Sequence, residues 1–154
     1  MGTYEASYHN LHALLNTICL LNPGSYYDVK TYPSVAKPGK HVLQRSFLAL
    51  GPCIEAFRYC RPVLCIDGTF LTGKYKGTIL TAVAADSNNQ LMSLAIAFAE
   101  GENGDSWYWF LERLKNMVVR DVQNMCVIHD MHKDILQAMN DIKDGSQERH
   151  REAL

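Results

Sequence analysis

Apolar positions along this chain change their spacing several times, and each change predicts an element. Leu11, Leu14, Leu15 and Ile18 recur at helical intervals and Asn22-Pro23-Gly24 supplies a stop, so one amphipathic helix is expected from about residue 7 to residue 21. From Ser25 to Thr31 the tyrosines and Val29 alternate loosely, residues 33–39 are turn-rich, and residues 41–50 complete what reads as a hairpin. Gly51-Pro52 opens a short helix carrying Ile54 and Phe57. Arg61-Pro62 ends it, because proline disfavours helical geometry in the residue before it.

Four compact apolar runs follow. Val63-Leu64-Cys65-Ile66 ends in Asp67-Gly68, as a strand buried on both faces does when it surfaces at its carboxyl end. Residues 74–77 make a polar turn, and the runs 78–85 and 91–99 are separated by the turn signal Asp86-Ser87-Asn88-Asn89, so three antiparallel strands are expected. Asp105 or Ser106 is placed to cap a helix whose inward stripe is Trp107, Phe110, Leu111, Leu114 and Val118, with Trp109 off that stripe. The fourth run, 125–128, ends at His129-Asp130. Residues 133–140 then restart a helix with Ile135, Leu136 and Met139 inward, and 141–154 read as a charged, solvated tail.

The order strand, strand, strand, helix, strand, helix, after a smaller α+β segment, is an α/β plan with a mixed sheet. A right-handed crossover lets the fourth strand lie parallel to the first and beside it, giving the spatial order three, two, one, four. Asp67 and Asp130 would then meet on one rim. The chain accordingly divides into a helix and hairpin segment at 1–59, a core at 60–140 and the tail at 141–154.

Composition narrows the classes. With 47% apolar and 20% charged residues the chain can bury a core and is not disordered. Lys plus Arg number 15 against 16 for Asp plus Glu, so no overall positive field draws in nucleic acid and any such contact must be local. The five cysteines are odd in number and form no Cys-x-x-Cys pair, which predicts buried thiols in a reducing compartment rather than a zinc ribbon or a disulfide framework. Neither a leader-like N-terminus nor a long apolar run is present, so the expectation is a soluble intracellular protein without membrane contact.

Two carboxylates at the carboxyl ends of adjacent parallel strands lie where open α/β sheets bind ligands, and a divalent cation relieves their repulsion. Magnesium suits such a pair, since it prefers carboxylate oxygens, keeps several waters and bridges phosphates. That combination points to phosphodiester cleavage or strand transfer. Asp67 and Asp130 are therefore the candidate metal ligands, although Asp-Gly is also ordinary turn chemistry. Lys74 and Lys76 follow in the next loop and are candidate phosphate contacts, with a solvated turn as the plainer alternative. His129 and His132 flank Asp130 without a third soft ligand, which favours a partly exposed imidazole pair over zinc. Trp109 is the aromatic side chain best placed to stack on a base. Glu100 and Glu102 precede a helix N-terminus, an ordinary place for acids, and receive no catalytic role.

The stretch R-P-V-L-C-I-D-G-T-F-L-T-G-K-Y-K-G-T-I-L-T-A-V-A-A-D-S-N-N-Q, followed by E-G-E-N-G-D-S-W-Y-W-F-L, resembles plant Mutator-like element (MULE) transposases. The resemblance runs over roughly residues 60 to 140, and Asn22-Pro23-Gly24 and residues 47–60 are similar to what lies upstream in that family. It implies a ribonuclease H-like, DDE-type enzyme that uses three acids and Mg2+ or Mn2+ to cut and join DNA in the nucleus. By that resemblance Asp67 is the first acid and Asp130 the second. The third, a glutamate on a later helix, has no counterpart, and Glu148 and Glu152 follow Asp130 too closely to replace it. Around the second acid the family reads Ser-Asp-Arg-His-Lys-Gly where this chain has His129-Asp130-Met131-His132-Lys133-Asp134, so the arginine is replaced by Met131. The chain is thus expected to be a truncated, catalytically incomplete transposase domain whose sheet is incomplete at the C-terminus. Its expected partners are DNA, a second copy or a full-length transposase. The alternative is a non-catalytic interaction module that docks through the exposed sheet edge.

Overall fold

The computed structural model describes residues 10–130 and 132–152. Six strands form one sheet: β1 (Tyr26–Pro33), β2 (His41–Ala49), β3 (Val63–Phe70), β4 (Thr78–Ala85), β5 (Leu91–Ala99) and β6 (Cys126–Ile128). Four α-helices accompany them: α1 (Leu11–Leu21), α2 (Gly51–Phe57), α3 (Gly104–Arg113) and α4 (Lys133–Glu152), with a π-helical turn, Leu114–Val119, continuing α3. The sheet order is β1-β2-β5-β4-β3-β6, antiparallel except where β6 runs parallel to β3. The segment β5-β4-β3-β6 is the order three, two, one, four expected from the apolar runs. The hairpin was expected as a segment upstream of the core; it joins the same sheet, with β2 pairing to β5 from Arg45↔Ala99 to Leu48↔Ile96.

Alternation within the strands gives the sheet a packed face and an open one. Phe47 and Ala49 of β2, Leu64 and Ile66 of β3, Leu80, Ala82 and Ala84 of β4, and Ala97 and Ala99 of β5 are buried in one cluster with Trp107, Phe110, Leu114, Val118, Ile135 and Ala138. On the other face Cys65 and Asp67 are exposed, as are Ile96 at 45% and Ile128 at 53%. β3 is therefore buried on one face only, not on two, because both α3 and α4 contribute to the same side. The expectation of buried thiols fails for the same reason: Cys65 and Cys126 lie exposed, and Cys19, Cys53 and Cys60 are half-buried.

Three expectations for the helices shift in detail. Asn103, not Asp105 or Ser106, caps α3, its side-chain oxygen accepting the Ser106 N–H at 3.0 Å. Along α4 the inward positions are Ile135, Ala138 and Met139, while Leu136 is 45% exposed; that set follows the 3.6-residue period, and the larger side chain at 136 lies off it. The stretch after Asn140, expected as a solvated tail, continues α4 to Glu152. The first residues of the expected N-terminal helix, 7–9, lie outside the described residues.

Trp109 is buried, so it offers no stacking surface. Because β2 extends the sheet beyond β5, it covers the flank of α3 that a four-stranded sheet would leave bare. Phe47 meets the Trp109 ring edge-on at 6.2 Å, and the guanidinium groups of Arg45 and Arg113 lie 5.9 and 4.7 Å from its centroid. Arg45, itself buried, donates to both Glu100 carboxylate oxygens, at 2.9 and 2.5 Å, and to the Asp105 carbonyl at 3.2 Å. Arg113 Nε donates to Asp28 Oδ2 at 2.6 Å and so ties α3 to β1.

The Glu100 carboxyl gives this junction a pH dependence. Burial pushes its pKa up, but the hydrogen bonds from Arg45, its own backbone and Gln44, with the Arg45 charge, outweigh that and hold it below its ordinary value of 4.5. A depressed native pKa means that the unfolded chain binds protons first, so the contribution is full above pH 4.5 and is lost as pH falls through the lower native value. Thermal melts are expected to show stability falling below that pH, and the fall is expected to be shallower in Glu100→Gln. Equal slopes in the two proteins would remove Glu100 from the account.

Candidate functional site

β6 ends at Ile128, so the parallel pairing Val63↔Cys126, Leu64↔Val127, Cys65↔Ile128 stops two residues short of both candidate acids. Asp67 lies two residues beyond Cys65 and Asp130 two residues beyond Ile128, the last parallel pair, and both are exposed. Within β3, Asp67 shares the parity of Cys65, which is that of the open face. Asp67 is not at the end of its strand. β3 continues to Phe70, and Asp67 lies opposite Thr81 of β4, whose hydroxyl donates to the Asp67 carbonyl at 3.4 Å. The Gly68 N–H donates to Asp67 Oδ1 at 2.9 Å and fixes one carboxylate oxygen. On the other strand, His129 Nδ1 is bonded to the Asp130 carbonyl oxygen.

Carboxylate oxygens such as those of Asp67 in β3 and Asp130 just past β6 are hard donors of the kind Mg2+ and Mn2+ take, these ions completing their shells with water and phosphate. Among the described residues no group of three or more His, Cys, Asp or Glu side chains could hold a metal ion. His132 is engaged at the start of α4 instead: its Nδ1 accepts the Asp134 N–H at 3.4 Å and lies 3.8 Å from Asp134 Oδ2. Met131 lies outside the described residues, and so do the side chains of Glu148 and Glu152.

Lys74 and Lys76 are exposed in the β3–β4 loop, which the Leu71 N–H closes onto the Gly77 carbonyl at 2.9 Å. Lys74 Nζ lies 5.4 Å above the Tyr75 ring. No acid occurs between Asp67 and Asp86, so these lysines carry the only charges of a segment that begins at the rim.

Glu102, given no catalytic role from the sequence, lies against the residue next to Asp67. Gly68 faces the packed side of the sheet, and a Cβ there would meet Glu102 Oε1 at 3.1 Å, Glu102 Cδ at 3.2 Å and Trp107 Cζ2 at 3.3 Å. Glu102 thus folds back from beyond β5 to cover the residue next to Asp67. The available signal was the glycine itself, since glycine within a strand often marks a close approach.

A protein-family model described as the MULE transposase domain matches residues 63–150. No curated protein and no solved structure matches the chain.

Proposed function

The chain belongs to the MULE transposase domain family, and from that premise we propose a DDE-type protein with a ribonuclease H-like core that binds a divalent metal and DNA and is catalytically incomplete on its own. The observation that supports this best is the parallel pairing of β6 with β3, which ends two residues before Asp67 on one strand and Asp130 on the other inside the matched region. Asp67, with one oxygen fixed by Gly68 N–H, and Asp130 are the metal ligands. A bound Mg2+ or Mn2+ would stabilise charge on phosphodiester oxygens. Lys74 and Lys76 hold the DNA backbone locally, as a protein with net charge -1 requires. The family resemblance supports the nucleus as the protein's location. DDE-type chemistry takes three acids, and two are accounted for among the described residues, so cleavage by this chain alone is expected to be absent.

Titration with Mn2+, followed by the relaxation it causes, tests the site. Asp67→Asn and Asp130→Asn are each expected to weaken binding by about tenfold or more. Unchanged binding in both variants would remove the metal site. A cleavage and strand-transfer assay in Mg2+ or Mn2+ tests completeness: activity abolished by both substitutions would show that two acids suffice or that a third is present.

A second reading, a non-catalytic module that pairs with another copy or with a full-length transposase, is favoured by one observation. Among the described residues no strand pairs with the outer edge of β6, whose last residue, Ile128, is 53% exposed. A stable dimer in solution, insensitive to metal and to both aspartate substitutions, would favour this reading over the first.

A further inference from the structure

Glu102 has no part in the metal-binding reading, yet it lies against the residue that orients Asp67. The loop that carries it is anchored on both sides, with Glu100 gripped by Arg45 before it and Asn103 capping Ser106 after it. Its half-buried side chain therefore reaches Gly68 from a fixed base. Trp107, fully buried, presses on the same glycine. Gly68 is held within β3 opposite Leu80 of β4, but glycine carries no side chain to fix its peptide further, and the Gly68 N–H holds Asp67 Oδ1 only while that peptide keeps its direction.

We propose that Glu102 is a positioning residue for Asp67, acting through Gly68. Its carboxyl group closes the packed face over the glycine, and the Gly68 amide is thereby kept aimed at the Asp67 carboxylate on the open face. Glu102 is not a third metal ligand, because it and Asp67 lie on opposite faces of β3. The functional meaning of the inference rests on Asp67 binding metal, but its structural content does not.

Nuclear magnetic resonance of the isotope-labelled chain separates the two. Asp67→Ala removes the acceptor and defines the amide shift of an unbonded Gly68. Glu102→Ala is expected to reproduce that shift, and Glu102→Asp, which keeps the charge but retracts the carboxyl by a methylene, to give part of it. Glu102→Gln, which keeps the shape, is expected to leave Gly68 at its wild-type position. In parallel, Mn2+ should bind about tenfold more weakly to Glu102→Ala and recover in Glu102→Gln, as for other groups that orient a metal ligand. A Gly68 amide unmoved in Glu102→Ala, with the β4 and β5 resonances intact, overturns the inference; should that variant not fold, an unmoved amide in Glu102→Asp does the same. If Mn2+ broadens nothing in the wild-type protein, the metal reading fails, while the amide shifts still decide the role of Glu102.

Discussion

Gly51→Ala is expected to cost about 3 kcal/mol or more of stability, at or above the upper end of what overpacking usually costs. A Cβ at this position would lie 2.0 Å from the Pro23 carbonyl oxygen and 2.7 Å from the Gly24 carbonyl carbon. Both are backbone atoms, so no rotamer change can make room. The same junction is tied by Ser25, whose hydroxyl accepts the Gly51 N–H at 2.8 Å and donates to the Asn22 carbonyl at 2.5 Å. The stop after α1 and the start of α2 are thus one packed unit, and shifting either displaces Ile54 and Phe57 from the core. Gly73→Ala is the control, because nothing lies within 4 Å of its Cβ position; it is expected to stay within about 0.5 kcal/mol of wild type. Urea unfolding of the two variants measures the difference, and a Gly51→Ala protein as stable as Gly73→Ala would contradict the packing of Pro23 on α2.

Periodicity made the central part of this fold legible because its signals were local. The runs at 78–85 and 91–99 coincide with β4 and β5, and Asp86, expected in the turn between them, accepts the backbone N–H groups of Asn88 and Gln90. Parallel pairing of β6 with β3 follows from crossover handedness once the intervening helix is recognised. What stayed hidden depends on long-range packing. Nothing in residues 41–49 announces that Arg45 pairs with Glu100, 55 positions away, and without that pairing the flank of α3 cannot be known to be covered. Its place off the inward stripe makes Trp109 a candidate for base stacking, although it lies buried with two guanidinium groups over its ring. At the rim the strand order was legible, since β6 lies beside β3 as the apolar runs imply, whereas Glu102 reaches Gly68 through a turn of the chain that no spacing rule encodes.

Trp107 links the core to that rim, and its substitutions separate volume from polarity. The side chain is fully buried, packs edge-on to Phe110 with centroids 6.0 Å apart and rests against Gly68. Trp107→Ala is expected to lose about 3 to 5 kcal/mol, the range for emptying a large aromatic site in a core. Among the described residues its buried indole N–H has no hydrogen-bond partner, and leaving such a donor unpaired costs about 1 to 3 kcal/mol. Trp107→Phe removes that donor while keeping one ring, so relief of the unpaired N–H offsets part of the cavity cost. The phenylalanine variant is accordingly expected to lose less than half of what the alanine variant loses, as measured by the midpoint of urea unfolding at a constant slope. Equal losses in the two would mean that the N–H is satisfied in solution, with a water or a rotated Glu102 carboxylate as the acceptor.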